Sequence, residues 1–258
     1  QPNRSKDESS DFLKEWQKNQ ADIMEKMMQP WLNNPMFNAK QDEQSPDTTA
    51  SKNTGLGSCA LAKNTTGAEN IGIGFLASAC NTEGNNNSSL GVQALRTNTT
   101  GDNNVAIGSY ALCANTTANS GVAVGLCALN ANTTGAANTA IGASAMITNT
   151  TGATNVAVGV NALGSNTTAS NNVAVGNAAL FKNTTGTSQT GVGCGALICT
   201  TTGSENTAVG AVSLNFNTTG VDNTGIGIAT IYDNTTGSHN TAAGKNALAN
   251  NTTADGNT

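Results

Sequence analysis

The chain has 258 residues and a formal net charge of −5, with aromatic residues at 3% and charged residues at 10%. So few aromatics leave a large globular core hard to fill, and so few charges argue against a solvated disordered chain. A stack of small coils satisfies both limits, because each coil buries only a thin apolar strip against the next.

Residues 1–52 differ in composition from everything after them. They hold all four prolines (Pro2, Pro30, Pro35, Pro46), both tryptophans, and 16 of the 27 charged residues. Gln1 in place of an initiator methionine leads us to expect a processed N-terminus, and with it export or virion maturation. Ser9, Ser10 and Asp11 can cap a helix start. Phe12, Leu13, Trp16, Ile23, Met24, Met27, Met28 and Trp31 follow at largely helical spacing, with Lys14, Glu15, Lys18, Asp22, Glu25 and Lys26 between them. This predicts an amphipathic helix that Pro30 stops near Gln29. About 18 residues is marginal for an isolated helix, so the segment needs a partner. Capping of the first coil and service as an anchor or oligomerisation helix are both open. Residues 33–52 read as an extended linker.

From Asn53 to the C-terminus one phrase recurs at a fixed 17-residue spacing, as from Asn132 to Asn149. It reads Asn-[Thr/Val]-[Ala/Gly]-[Ile/Val]-Gly-x-x-Ala-Leu-x-x-Asn-Thr-Thr-Gly-x-x. A fixed short period is the mark of a repeat architecture. Twelve coils fit, and at about 4.8 Å each they make a rod roughly 58 Å long. The expected fold is therefore all-β: a parallel β-solenoid or β-roll of twelve such coils over 53–258, preceded by the helical arm of 1–52. In the fourth coil Val105-Ala106-Ile107 alternates large, small, large, which predicts a short strand with Val105 and Ile107 pointing inward. The following glycine slot is filled in every coil, as at Gly74, Gly108, Gly142, Gly176 and Gly210. It predicts a corner at positive φ or close backbone approach. Ala111-Leu112 supplies a further core residue, on a second strand or on one helical turn.

The second corner is Asn-Thr-Thr-Gly. Its asparagine slot holds Asn64, Asn98, Asn132, Asn149, Asn183, Asn217 and Asn234, among others, and Thr200 in one coil. Stacked amides are expected to hydrogen-bond from coil to coil, as in cross-β structures. Asn-x-Thr is also a glycosylation acceptor pattern, met in ten coils at this slot. The slots before Ile/Val and before Leu hold small residues throughout. They are expected to form faces on which another backbone surface can pack, and so to support a homo-oligomer.

Reactive chemistry is sparse. His239 is the single histidine and has no clustered partners, and the acids of the repeats are too scattered for a calcium-binding repeat. The glycines of Gly191-Val192-Gly193-Cys194-Gly195 belong to the repeat phase and not to a phosphate loop. The six cysteines lack metal-type spacing. Cys113 with Cys127, and Cys194 with Cys199, are conceivable disulfides; the other reading is that all are small apolar fillers. We therefore expect no catalytic residues, metal or cofactor. There is no basic footprint for nucleic acid, and neither a polybasic segment nor an apolar run long enough for a membrane helix.

Coils such as Asn138-Thr139-Ala140-Ile141-Gly142 with Ala145-Met146 and Asn149-Thr150-Thr151-Gly152 resemble repeats of phage tail fibres. They are similar also to the head repeats of trimeric autotransporter adhesins. The resemblance covers about residues 53–258 and implies a parallel β-roll with three chains side by side, displayed outside a cell or on a virion. The expected function is a non-enzymatic structural or adhesive fibre. Its expected partners are copies of itself, as a trimer or an end-to-end filament, together with surface glycans or an anchor protein of a cell surface or virion. The open thirteenth coil at Asn257-Thr258 is what suggests the filament. An ice-binding β-solenoid with Thr arrays is the alternative.

Overall fold

The structure, a computed structural model, describes residues 50–258. Phe12, Leu13, Trp16, Ile23, Met27 and Trp31, and the helix expected around them, lie outside the described residues. Within 50–258 the chain is a parallel β-solenoid. Twelve three-residue strands run from β1 (Thr54–Leu56) through β4 (Val105–Ile107) and β5 (Val122–Val124) to β12 (Thr241–Ala243). They form one sheet in sequence order, every neighbouring pair parallel. The register never slips: Val105, Ala106 and Ile107 pair with Val122, Ala123 and Val124, the same slots of the next coil. At the usual strand spacing the first and last strands lie about 53 Å apart.

The strand faces the opposite way from the sequence expectation. Ala106 is fully buried, whereas Val105 is half-buried and Ile107 is 40% exposed. The reason is the thinness of the coil. Across from each strand the chain returns through the Ala-Leu slots, and Ala111 and Leu112 are also fully buried. Little space is left between the two walls. A Cβ added to Gly72, which occupies the Ala106 slot in its own coil, would lie 3.1 Å from Cγ of Leu61. The slot admits glycine, alanine or serine because a leucine of the neighbouring coil already fills the interior. The small residues in both slots thus line the inside of the coil and not a surface for another chain. The continuous core is made of these alanines with Leu95, Leu112, Leu129, Met146, Leu163, Leu180, Leu197, Leu214 and Ile231.

The Ala-Leu segment is neither a strand nor a helical turn; among the described residues there is no helix. It is a series of turns in which Tyr110 and Leu112 take left-handed conformations, with φ of 61° and 48°. Such conformations are costly for residues with a Cβ. They are held because each amide finds a carbonyl in an adjacent coil. Tyr110 donates to Val92 at 2.9 Å and Leu112 to Ala128 at 3.0 Å. The corner glycine is held by contact as well as by dihedral. Gly108 has φ 128°, and a Cβ there would sit 2.5 Å from the carbonyl oxygen of Gly125. Gly74, Gly142, Gly176 and Gly210 share the conformation, with φ between 128° and 138°.

Two asparagine ladders close the second corner. In the first, Nδ2 of Asn149 donates to Oδ1 of Asn132 at 2.7 Å and to the Gly152 carbonyl at 2.9 Å, and Nδ2 of Asn166 donates back to Oδ1 of Asn149 at 2.7 Å. In the second, Oδ1 of Asn87 accepts the backbone N–H of Asn104 at 2.9 Å, while Nδ2 of Asn104 donates across to the Ala118 carbonyl at 2.9 Å. The ninth coil breaks both rows. Thr200 stands in the first row with its hydroxyl buried and without a partner. Gln189 stands in the second row and reaches across to Oδ1 of Asn183 at 3.0 Å.

Each buried amide is both donor and acceptor, so Asn149→Asp should be disruptive despite its equal size. The carboxylate would face two acceptors in a dry interior, at a cost of at least about 3 kcal/mol. Its folded-state pKa would be raised above the unfolded value, so the native state would bind the extra proton and stability would fall as pH rises. Urea melts at pH 4 and pH 7 should show a smaller penalty at pH 4. Thr200→Asn should act the other way. It removes the orphaned hydroxyl and gives Asn217 a coil-to-coil acceptor, so the melt should show a gain of about 1 kcal/mol.

Candidate interaction surfaces

The asparagines that dominate the repeat are inside. Asn64, Asn98, Asn132, Asn149, Asn183, Asn217 and Asn234 are all buried. In each, Nδ2 is engaged by the carbonyl three residues on, at 2.8–3.0 Å. At these corner slots the Asn-x-Thr pattern therefore offers no free amide nitrogen in the folded chain. These residues build the corner and do not contact a partner.

Three outward features remain. The first is the outer face of the sheet. Because alanine points in, the large β-branched and leucine side chains point out. Leu56, Leu90, Ile107, Ile141, Val209 and Ile226 are exposed, and just past the corner glycine so are Val92, Leu126, Val160 and Ile228. They form rows along the rod at the strand spacing. Through these strand and post-glycine slots the only charged residue is Lys245, in the last coil. The acids Glu69, Asp102, Glu205, Asp222 and Asp255 stand instead in the two slots before each strand's leading asparagine, on another side of the coil. The third strand slot is aliphatic in every coil from Leu56 to Ala243, while the first strand slot and the post-glycine slot also hold uncharged polar residues such as Thr139, Thr207, Ser109 and Asn177.

The second feature is the pair of threonine columns. In the coils between the first and the last, the first threonine of each pair is half-buried, and its hydroxyl donates to the carbonyl of its counterpart in the next coil, as from Thr99 to Thr116 at 3.0 Å and from Thr150 to Thr167 at 3.0 Å. The second threonine, as at Thr100, Thr117, Thr134 and Thr151, is exposed, and Glu83 interrupts that row. One row of hydroxyls thus faces solvent and the other is tied into the backbone.

The third is a shallow groove of about 650 Å³ beside the half-buried threonine column, lined by Lys182, Cys199, Phe216 and Asp233 among others. Phe216 is 42% exposed and meets Tyr232 edge to face, with centroids 5.2 Å apart. The sequence reading passed over this site because its residues lie in variable slots. The readable signal was the clustering of Phe181, Phe216 and Tyr232, three of the five aromatics after Asn53, in two adjacent slots of four successive coils.

Elsewhere the side chains are chemically quiet. His239 Nε2 lies 3.8 Å from the Asp222 carboxylate, both well exposed. Among the described residues no group of three or more His, Cys, Asp or Glu could hold a metal ion. No helix among them is long and apolar enough to cross a membrane. All six cysteines are free thiols, so neither Cys113 with Cys127 nor Cys194 with Cys199 is bridged in this structure. Burial pushes the Cys113 thiol above its ordinary pKa, with Arg96 pulling the other way.

Alkylation should follow that order: at pH 8, mass spectrometry of a time course with iodoacetamide should show Cys194, which is exposed, modified well before Cys113, which is buried. Comparison of the chain with family models, with curated proteins and with solved structures gives no match.

Proposed function

We propose that this chain is a non-enzymatic structural rod of an extracellular or virion-displayed fibre, which assembles side by side with copies of itself. The observation that carries the reading is the charge-poor outer face of the sheet, with an unbroken aliphatic row from Leu56 to Ala243 along it. It extends about 53 Å and is about 13 Å wide, roughly 700 Å² per copy. That is close to the roughly 800 Å² per partner of a standard interface. A second copy is the occupant that fits it throughout. Its rows recur at the same strand spacing, so contact made at one coil is repeated at every other. A globular partner would match that spacing only locally. Charge agrees: a chain of net −5 repels its copies, and this is the face from which the acids are absent.

The resemblance of the repeats to those of tail fibres and adhesin heads supports three copies. In that role the mechanism is mechanical and multivalent, with a stiff stack that supplies reach and presents its outward slots many times over. An anchor protein of the surface or virion is a second partner, for which the N-terminal arm is the candidate attachment. The threonine array favours the ice-binding alternative only in part, because a single row faces solvent. Thermal hysteresis in a dilute solution of the chain would support that alternative in its place.

Mass photometry of the full chain should show a species of three chain masses. Ile107→Asp combined with Ile141→Asp should convert it to single chains without loss of the β-sheet circular dichroism signal. A wild-type protein that is monomeric at micromolar concentration would remove the side-by-side reading.

A further inference from the structure

We infer that the groove of the eighth to eleventh coils is a binding site for a short acidic oligosaccharide lying along the rod. It departs from the repeat along four consecutive coils. The slot just before the Asn-Thr-Thr corner holds Lys63 in the first coil and small residues from Cys80 to Ser165, and at neither place does an aromatic ring or an acid follow. In four consecutive coils it holds Lys182, Cys199, Phe216 and Asp233, a cation, a thiol, an aromatic ring and an acid in line. The line from Lys182 to Asp233 covers three coil spacings, about 14 Å.

Each member suits part of a sugar chain. Phe216 is 42% exposed and is fixed by its edge-to-face contact with Tyr232. It offers a rigid apolar platform for the C–H face of a pyranose ring. The Asp233 carboxylate accepts hydrogen bonds from sugar hydroxyls. The wall is threonine. The hydroxyls of Thr201, Thr218 and Thr235 are committed as donors to the next coil at 2.9–3.2 Å and keep lone pairs for incoming donors. Lys182 supplies the charge selection. Its Nζ approaches Cys199 Sγ at 3.9 Å, and among the described residues no carboxylate pairs with it. A carboxylate on the ligand would complete it. A neutral apolar ligand would leave the lysine and the aspartate unused, and a polyanion would meet Asp233.

The groove lies seven to nine positions along the coil from the strand, about half a turn from the aliphatic face. An assembly joined through the sheets would leave it open, once per chain. The inference does not depend on the assembly.

The test is a printed array holding neutral oligosaccharides (cellotriose, chitotriose) and acidic ones with a single carboxylate (3′-sialyllactose, 6′-sialyllactose), probed with the full chain. Retention of an acidic member over the neutral ones is expected. Phe216→Ala should weaken that retention at least tenfold, and Lys182→Gln should abolish the preference for the acidic sugar. Phe75→Ala, in the second coil, should change neither. All variants are to be checked for an unaltered thermal melt, and Phe216→Leu serves as the second variant should alanine disturb the fold. No retention of any sugar, or retention unchanged by Phe216→Ala and Phe216→Leu, would overturn the site. Mass photometry of the same samples reads the assembly separately, so failure of one reading is distinguishable from failure of the other.

Discussion

Everything in this solenoid depends on hydrogen bonding between equivalent slots of neighbouring coils. Few bonds close within a coil. The strands, the turn segment and the Asn-Thr-Thr corner satisfy most of their polar groups on the coil above or below. A buried backbone group without a partner is expensive, so the period is rigid. A coil longer or shorter by a single residue would leave a whole row of donors facing the wrong acceptors. The same constraint explains how left-handed residues as bulky as Leu112 and Met146 are tolerated. Local backbone cost is offset by a hydrogen bond on each side and by full burial of the side chain.

The asparagine ladders extend this logic from backbone to side chains. An amide is the one small uncharged side chain that both donates and accepts in a plane, so it can pass a hydrogen bond from coil to coil without end. The ninth coil shows what happens when the pattern fails. Thr200 is too short to reach its neighbours, and the longer Gln189 crosses from the other row to occupy the acceptor that Thr200 leaves vacant. One ladder is partly repaired from the other, at the cost of a silent hydroxyl.

Such an interior makes the surface unusual. With polar asparagine and small alanine packed inside, the larger aliphatic residues of each strand are turned out, the reverse of ordinary amphipathic patterning. The thin coil has room for one leucine per turn and no more. What looks like a core motif therefore becomes an exterior apolar face, and the functional reading rests on that inversion. The interior repeats with few exceptions, such as Thr200 and Gln189; most variation falls in outward slots, where Lys182, Phe216 and Asp233 depart from the pattern.

The sequence by itself determined the architecture. An unbroken short period with an unvarying glycine and a β-branched triplet leaves only a parallel stack, and the twelve strands fall where the triplets do. It did not determine which way the triplet faces. Val105-Ala106-Ile107 alternates in either case, and alternation carries phase without direction. Only the opposing wall, with Leu112 and its counterparts filling the interior, decided that Ala106 is inside and Ile107 outside. The same holds for the small residues before each leucine, whose size was plain but whose neighbours were not. The groove needed the fold as well, since Lys182 and Asp233 are far apart in the chain and share a surface only because three coil spacings bring them into line.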